Sequence, residues 1–219
     1  MTLKLYGVFA SSYYNFAKLA LLEKNMPFEE MPLNPQEKTA GFLAMSPVGK
    51  IPCMETEAGA LSESLAIVAY AEAQQPNPAL FPQEPMVAGR AMQIHQFLTH
   101  YVNGAAGSLV PTGFFGAPED KAVTDAGFEQ VNKGVQYLVQ VCAFDPYIAG
   151  KHLSHADLIA LVSLDLVDKL AELYDRPNPL DALSGWQNLR QVLMERPHIK
   201  ATIEARDGMW QHILQNKAM

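Results

Sequence analysis

Met45-Ser-Pro-Val-Gly-Lys-Ile-Pro-Cys-Met-Glu-Thr-Glu-Ala-Gly-Ala-Leu-Ser-Glu-Ser-Leu-Ala-Ile-Val-Ala-Tyr70 is the stretch around which this chain is organised. Pro52 stands where a short apolar strand begins, and a proline enters a sheet only at a first residue, an edge or a bulge. Ile51-Pro52 is a candidate cis bond, a form that needs a positional reason because trans is normally favoured by about 0.5–1 kcal/mol. In that form the main-chain N–H and C=O of Ile51 face out of the sheet, ready to pair with an extended peptide. Glu57-Ala58-Gly59 reads as a turn, and Leu61-Ser62-Glu63-Ser64 opens a helical pattern. Free N–H groups and the macrodipole at such a helix start favour an anion near Ser64, while Glu63 offers a negative charge to an ammonium. A ligand that meets a main-chain clamp, a carboxylate cradle and an ammonium acceptor together is a small peptide with a free α-amino acid end.

Working outward, residues 3–8 alternate as a short strand and 13–24 carry Phe16, Ala17, Leu19, Ala20 and Leu22 at helical spacing, with Asn25 as the stop. Residues 28–33 form a second strand, 34–44 an irregular segment around a short helix, Cys53-Met54 a third strand and Ala60-Leu61 a fourth. A helix over 64–75 follows. The first crossover predicts a parallel pair and the later hairpin an antiparallel one, hence a mixed four-stranded sheet. Gln74 to Pro85 carries four prolines and reads as a linker. Beyond it the 3.6-residue period dominates, with helices expected over 87–103, 118–144, 154–174, 187–195 and 198–214. The organisation is therefore an α/β domain over 1–75, a linker over 76–85 and an all-α domain over 86–219. In the helix opening at Ser154, Ser154 and Asp157 are spaced for a reciprocal capping box and Leu153 and Leu158 for a staple, so Asp157 is read as a folding residue.

Composition narrows the class. The chain has 219 residues, 49% of them apolar and 18% charged, enough for a sizeable core. A net charge of −7 argues against nucleic acid as a partner. No apolar run approaches the roughly 20 residues of a membrane-spanning helix, and the N-terminus leads straight into a strand, so a cytoplasmic protein is expected. The two cysteines, Cys53 and Cys142, make no Cys-x-x-Cys, and the six histidines no His-Glu-x-x-His, so no metal is expected. Cys53 reads as a core residue.

Ser46-Pro47-Val48-Gly49-Lys50-Ile51-Pro52 followed by Glu63-Ser64-Leu65-Ala66-Ile67 resembles the glutathione-binding half of the cytosolic glutathione S-transferases, and Gly150-Lys-His-Leu-Ser-His-Ala-Asp157 resembles that family's second-domain signature. The resemblance spans nearly the whole chain and implies a thioredoxin-like first domain, a helical second domain and a homodimer. It also implies glutathione as co-substrate. Ile51, presented by its bond to Pro52, would pair through its main chain with the cysteinyl unit. Glu63 would hold the ammonium, Ser64 the γ-glutamyl carboxylate, and Lys50, with Lys38 beside it, the glycyl carboxylate. The second substrate would lie between domains near Tyr13, Tyr14, Tyr101, Phe114 and Phe115, with Gly113-Phe-Phe-Gly116 expected as a loop.

Such an enzyme must hold the glutathione sulfur as a thiolate. Lowering a thiol pKa of about 8.5 by one unit takes about 1.4 kcal/mol, and one hydrogen bond to a charged group supplies roughly 1.5–3 kcal/mol, so a single hydroxyl suffices. Counting back from Leu22-Glu23-Lys24-Asn25, Ser11 takes the place of the reactive serine of serine-type members. Those often have proline next, and Ser12 stands here instead, so both serines are candidates with Ser11 preferred; Tyr6, about one residue off the register of tyrosine-type members, ranks third. Phe9-Ala10-Ser11-Ser12-Tyr13-Tyr14 lacks the cysteine of the thiol-reductase classes, and Tyr13 replaces the cysteine of the Ser-Ser-Cys maleylacetoacetate isomerases. The expected function is addition of glutathione to a small hydrophobic electrophile. The competing readings are a glutathione-dependent peroxidase or disulfide-bond reductase, and a non-catalytic protein that binds glutathione or hydrophobic cargo.

Overall fold

The structure, a computed structural model, describes residues 2–217. Strand β1 (Leu3–Gly7) ends on a residue that has to be glycine: a Cβ there would stand 2.3 Å from the Tyr14 ring of helix α1 (Ser12–Glu23). Helix α1 ends as its sequence requires. Asn25 adopts φ 53°, the Met26 N–H reaches the Leu21 carbonyl and the Asn25 N–H the Leu22 carbonyl, each at 3.0 Å. These are the paired bonds of a Schellman stop.

Strand β2 (Phe28–Pro32) returns parallel to β1, with Leu3 opposite Phe28. A short α2 (Ala40–Met45) precedes β3 (Cys53–Thr56), antiparallel to β1 with Met54 opposite Leu5, and β4 (Gly59–Ser62) closes a hairpin on it. The sheet order is β2-β1-β3-β4, mixed as expected, and α3 (Ser64–Gln74) packs with α1 on one of its faces. This is a thioredoxin-like domain. Ile51-Pro52 is cis, and Pro52 immediately precedes β3 rather than starting it.

The helical domain departs from the expected boundaries in several places, among them the helix expected over 118–144, which runs over Lys121–Val141. Helix α4 (Pro85–Gln96) begins two residues early because Pro85 occupies the first turn, where its missing N–H costs nothing, and the Glu84 carboxylate caps the N–H groups of Met86 and Val87 at 3.0 and 2.7 Å. The single helix expected to Asn103 changes winding on the way: Phe97–Asn103 is π-helical, and α5 (Gly104–Gly107) follows. The expected loop around Gly113–Gly116 is instead the end of α6 (Val110–Phe115), with Gly116 at φ 70° as its left-handed stop. Pro111 and the flanking glycines disguise this helix, although proline fits its first turn.

Helix α7 (Lys121–Val141) starts on the Asp120 cap. Helix α8 (His155–Leu173) is buried from His155 through Val167 and forms the axis of the domain. Its Ser154–Asp157 capping box forms as read from the sequence. The Asp157 carboxylate accepts the Ser154 N–H and hydroxyl at 2.8 Å each and the Ile148 N–H at 2.7 Å. Burial pushes Asp157 up to about 6 while these donors oppose it, so it is ionised at neutral pH. A 3-10 turn (Pro179–Ala182), α9 (Trp186–Met194) and α10 (Pro197–Lys217) complete the chain. Among the described residues no helix is long and apolar enough to cross a membrane.

The two domains share a core. Phe16, Leu19, Ala20 and Val68 belong to the same buried cluster as Leu158, Leu161, Val162 and Trp210. Polar clamps reinforce it. Glu23, buried at the end of α1, accepts two bonds from Arg196 at 2.6 Å and faces His198 Nε2 at 2.7 Å. The Trp210 indole donates to the Ala10 carbonyl at 3.1 Å.

Candidate functional site

Two adjoining cavities open where the first domain meets the helices. The first, about 290 Å³, is bounded on one side by Lys50, Ile51, Pro52, Glu63 and Ser64, and on the other by Tyr13, His95, Thr99 and His100. Thus five of the residues singled out around Pro52 line one cleft. Glu63 is the N-cap of α3 with φ 70° and ψ 117°, a conformation that costs a non-glycine residue about 1–3 kcal/mol. Strain of this kind persists where the surroundings impose it, and here it places a carboxylate beside the free N–H groups of α3 at Ser64. An ammonium acceptor and an anion cradle therefore stand next to each other. Ile51 lies two residues before the β3 ladder, at the wall of the same cleft.

The other proposed anchor behaves differently. The Lys38 ammonium folds back onto the Pro35 and Gly49 carbonyls and lies 5.3 Å over the Phe42 ring. It braces the loop that carries Gly49 and is not among the residues lining the cleft.

The second cavity, about 230 Å³, runs from the start of α1 to α6 and α10. Ser11, Ser12, Tyr13, Asn103, Phe114 and Phe115 line it together with apolar side chains of α8 and α10. Tyr13 stands in both walls and so marks the junction. Its hydroxyl points to the Thr99 carbonyl at 3.4 Å, and its pKa is raised by burial, with the Asn103 amide opposing and Glu63 adding to the rise.

The three candidate hydroxyls separate on geometry. Ser11 is the N-cap of α1: its oxygen accepts the Tyr14 N–H at 3.3 Å, which leaves its own proton to donate. Ser12, 6% exposed, donates to the Val162 carbonyl of α8 at 3.0 Å, so its proton is already spent. Tyr6 sits on β1, donates to Glu55, and is pushed up to about 12 by burial and by that carboxylate. It lines neither cavity.

Two aromatic residues expected near the second substrate lie elsewhere. Tyr14 is 1% exposed on the sheet side of α1, packed with Leu5, Ala17 and Met54, and its hydroxyl donates to Glu30 at 2.6 Å. Tyr13 and Tyr14 are adjacent on a helix, so they cannot share a direction. Tyr101 is 48% exposed and meets Phe97 and Tyr137 edge to face on the far side of the π-helical turn. Conversely, Phe114 is buried against Trp210 and forms the cavity floor, while exposed Phe115 forms its rim.

Residues that the sequence reading missed come mainly from the helical domain. His95, Thr99 and Asn103 recur every four residues, a polar series within a mostly apolar helix that could have been noticed. His95 and His155 meet through their Nδ1 atoms at 3.4 Å behind the first cleft, between the Phe16 and Phe81 rings. Burial lowers them to about 4 and about 3, so both are neutral at pH 7. Burial pushes the Cys53 thiol up to about 11 and the Cys142 thiol up to about 12, which disfavours the nucleophilic thiolate in both.

Comparison with known proteins agrees with this geometry. Residues 5–79 match the family model described as the N-terminal domain of glutathione S-transferase. A glutathione S-transferase of Pseudomonas putida is 33% identical over 90% of this chain and 89% of its own length. Glutathione S-transferase 2 of Saccharomyces cerevisiae is 28% identical over 92% of this chain and 90% of its own. Among solved structures, a glutathione S-transferase of Pseudomonas fluorescens superposes with a TM-score of 0.76 at 24% identity, covering 90% of this chain and 97% of the other. With a relative of this identity over nearly its whole length, and with a cleft built from the residues its sequence pattern singled out, the chain belongs to the glutathione S-transferase family.

Proposed function

We propose that this glutathione transferase binds glutathione along the first cleft, holds its sulfur as a thiolate beside Ser11, and adds it to a small electrophile in the second cavity. The observation that carries this reading is the free hydroxyl proton of Ser11 at the head of α1, at the wall of the second cavity and two residues from Tyr13, which lines both. The helix N-terminus adds to the same stabilisation of negative charge. In this reading the Ile51 main chain pairs with the cysteinyl unit, Glu63 meets the ammonium, Ser64 and the α3 N–H groups meet the γ-glutamyl carboxylate, and Lys50 meets the glycyl carboxylate.

The electrophile is placed by shape. A cavity of about 230 Å³ between Phe114, Phe115, Leu166 and Ile213 suits a single apolar ring. No general base is required, because the thiol proton leaves to solvent when glutathione binds and the Ser11 hydrogen bond favours the anion left behind. A homodimer is part of the same proposal, supported by family membership; sedimentation equilibrium tests it.

The decisive experiment is a pH titration of thiolate ultraviolet absorbance for glutathione bound to the wild type, Ser11→Ala and Ser12→Ala. A bound thiol depressed by about one to two units in the wild type, and restored towards about 8.5 in Ser11→Ala alone, is expected from the loss of one charged hydrogen bond. A bound thiol that titrates like free glutathione in all three proteins refutes thiolate activation and favours a binding role. Turnover of an organic hydroperoxide in preference to electrophile conjugation would favour the peroxidase reading.

A further inference from the structure

The second cavity is lined by a residue, Asn103, whose side-chain amide the chemistry described so far does not use. Asn103, at the end of the π-helical turn, is 4% exposed, and its Nδ2 makes no hydrogen bond within the protein. The amide lies near enough to the Tyr13 hydroxyl to favour the phenolate, without closing a hydrogen bond to it. A buried amide donor left unpaired costs about 1–3 kcal/mol. Every other side-chain donor around this cavity except Ser11 is spent on the protein: Ser12 on Val162, the Trp210 indole on Ala10, and Tyr13 on Thr99. The remaining wall is apolar. Two residues that line the cavity, Ser11 and Asn103, thus keep a donor that no protein acceptor takes, one proposed for the sulfur and one with no assigned acceptor.

We propose that Asn103 is a specificity-determining donor, whose Nδ2–H binds the oxygen on which negative charge collects as the thiolate adds to an acceptor-activated electrophile. The substrate class is a single-ring conjugated carbonyl or nitroarene. With a conjugated ketone, the sulfur lone pair forms the bond to the β-carbon, the C=C pair shifts, and the carbonyl oxygen becomes an enolate held by Asn103. A solvent proton then reaches the α-carbon, balancing the one lost from the thiol. With a halonitroarene, the charge collects on a nitro oxygen in the addition complex and leaves with the halide. A benzylic halide never places charge on an oxygen, so Asn103 gives it nothing. A donor aimed where charge develops accelerates only the reactions that develop it.

This inference rests on the transferase reading, and its test separates the two. Wild type, Asn103→Leu and Asn103→Ala are compared on 4-phenyl-3-buten-2-one, chlorodinitrobenzene and benzyl chloride, with the bound-thiol pKa measured in each protein. Removing the donor is expected to lower kcat/KM on the two oxygen-bearing electrophiles by about 100-fold, the usual order for one such donor. Benzyl chloride is expected to change by less than about threefold on the same ground, and the bound-thiol pKa to stay where it is. Equal losses on all three electrophiles, in both variants, make Asn103 a packing residue and overturn the inference; so does no loss on any. Wild type that turns over none of the three and leaves the bound thiol at its free pKa overturns the transferase reading itself, and this inference with it.

Discussion

The Ser12 hydroxyl donates to the main-chain carbonyl of Val162 at 3.0 Å, across 150 residues of sequence and in a buried contact between α1 and α8. The bond fixes the N-terminus of α1 against the helical domain. The neighbouring Ser11 holds the cap position, with its proton free. Ser12→Ala is therefore expected to lower unfolding stability by about 1 kcal/mol, the usual net value of such a bond. The thiol pKa of bound glutathione should be unaffected. Denaturant midpoints together with the absorbance titration check both halves; a raised thiol pKa in Ser12→Ala would contradict the division of labour.

Glu63, proposed to meet the glutathione ammonium, sits in a strained backbone, and the two effects can be pulled apart. Glu63→Gln keeps the shape and removes the charge, so glutathione affinity should fall about tenfold or more for the loss of one charge-assisted hydrogen bond, with stability nearly unchanged. Glu63→Gly removes the carboxylate and relieves φ 70°. That variant should bind as poorly yet gain on the order of 1 kcal/mol in stability, the strain relief less the entropy a glycine costs. Calorimetric binding and urea unfolding of the two variants give the comparison.

The buried His95–His155 pair predicts acid sensitivity. Both imidazoles are depressed by burial, each also by a neighbouring histidine, His100 for His95 and His95 for His155, to about 4 and about 3. Between an unfolded value of about 6.5 and these folded values, the unfolded chain binds more protons than the native one, so stability rises with pH across this window. It is fully present above about pH 6.5 and is lost as pH falls, by roughly 2 kcal/mol per histidine at pH 5. Asp157, raised to about 6, runs in the opposite direction and blunts the slope below that pH. Replacing His155 by Asn should flatten the profile; urea midpoints at pH 7 and pH 5 measure it.

Much of this was legible in the sequence because it depends on local chemistry. The Schellman stop at Asn25, the Ser154–Asp157 box and the cis Ile51-Pro52 bond each follow from residue types at fixed spacing. So did the cleft between Ile51 and Ser64, whose members lie close in sequence. What was not legible depends on tertiary direction. Tyr14 is one residue from Tyr13 yet faces the sheet, and nothing local tells which of the pair meets the cleft. Tyr101 turns outward and Asn103 inward within one π-helical turn, whose altered winding breaks the 3.6-residue reading. Helix α6 was hidden by Pro111, which fits its first turn, and by Gly113 and the Gly116 stop. Lys38 offered a charge, but the Gly49 and Pro35 carbonyls claimed it first.

Phe16, Leu19, Ala20 and Val68 lie in the core of the helical domain, although they come from the α/β half of the sequence. Recombination between relatives therefore has a natural seam elsewhere than at the proline-rich connector. A chimera joined near residue 80 must match the α1 surface of one parent to the α8 surface of the other, and Glu23 to an arginine that only one parent need supply. Exchanging α1, α8 and the segment holding Arg196 as a single block keeps each contact with its original partner, so the unit of inheritance that preserves this fold is discontinuous along the chain.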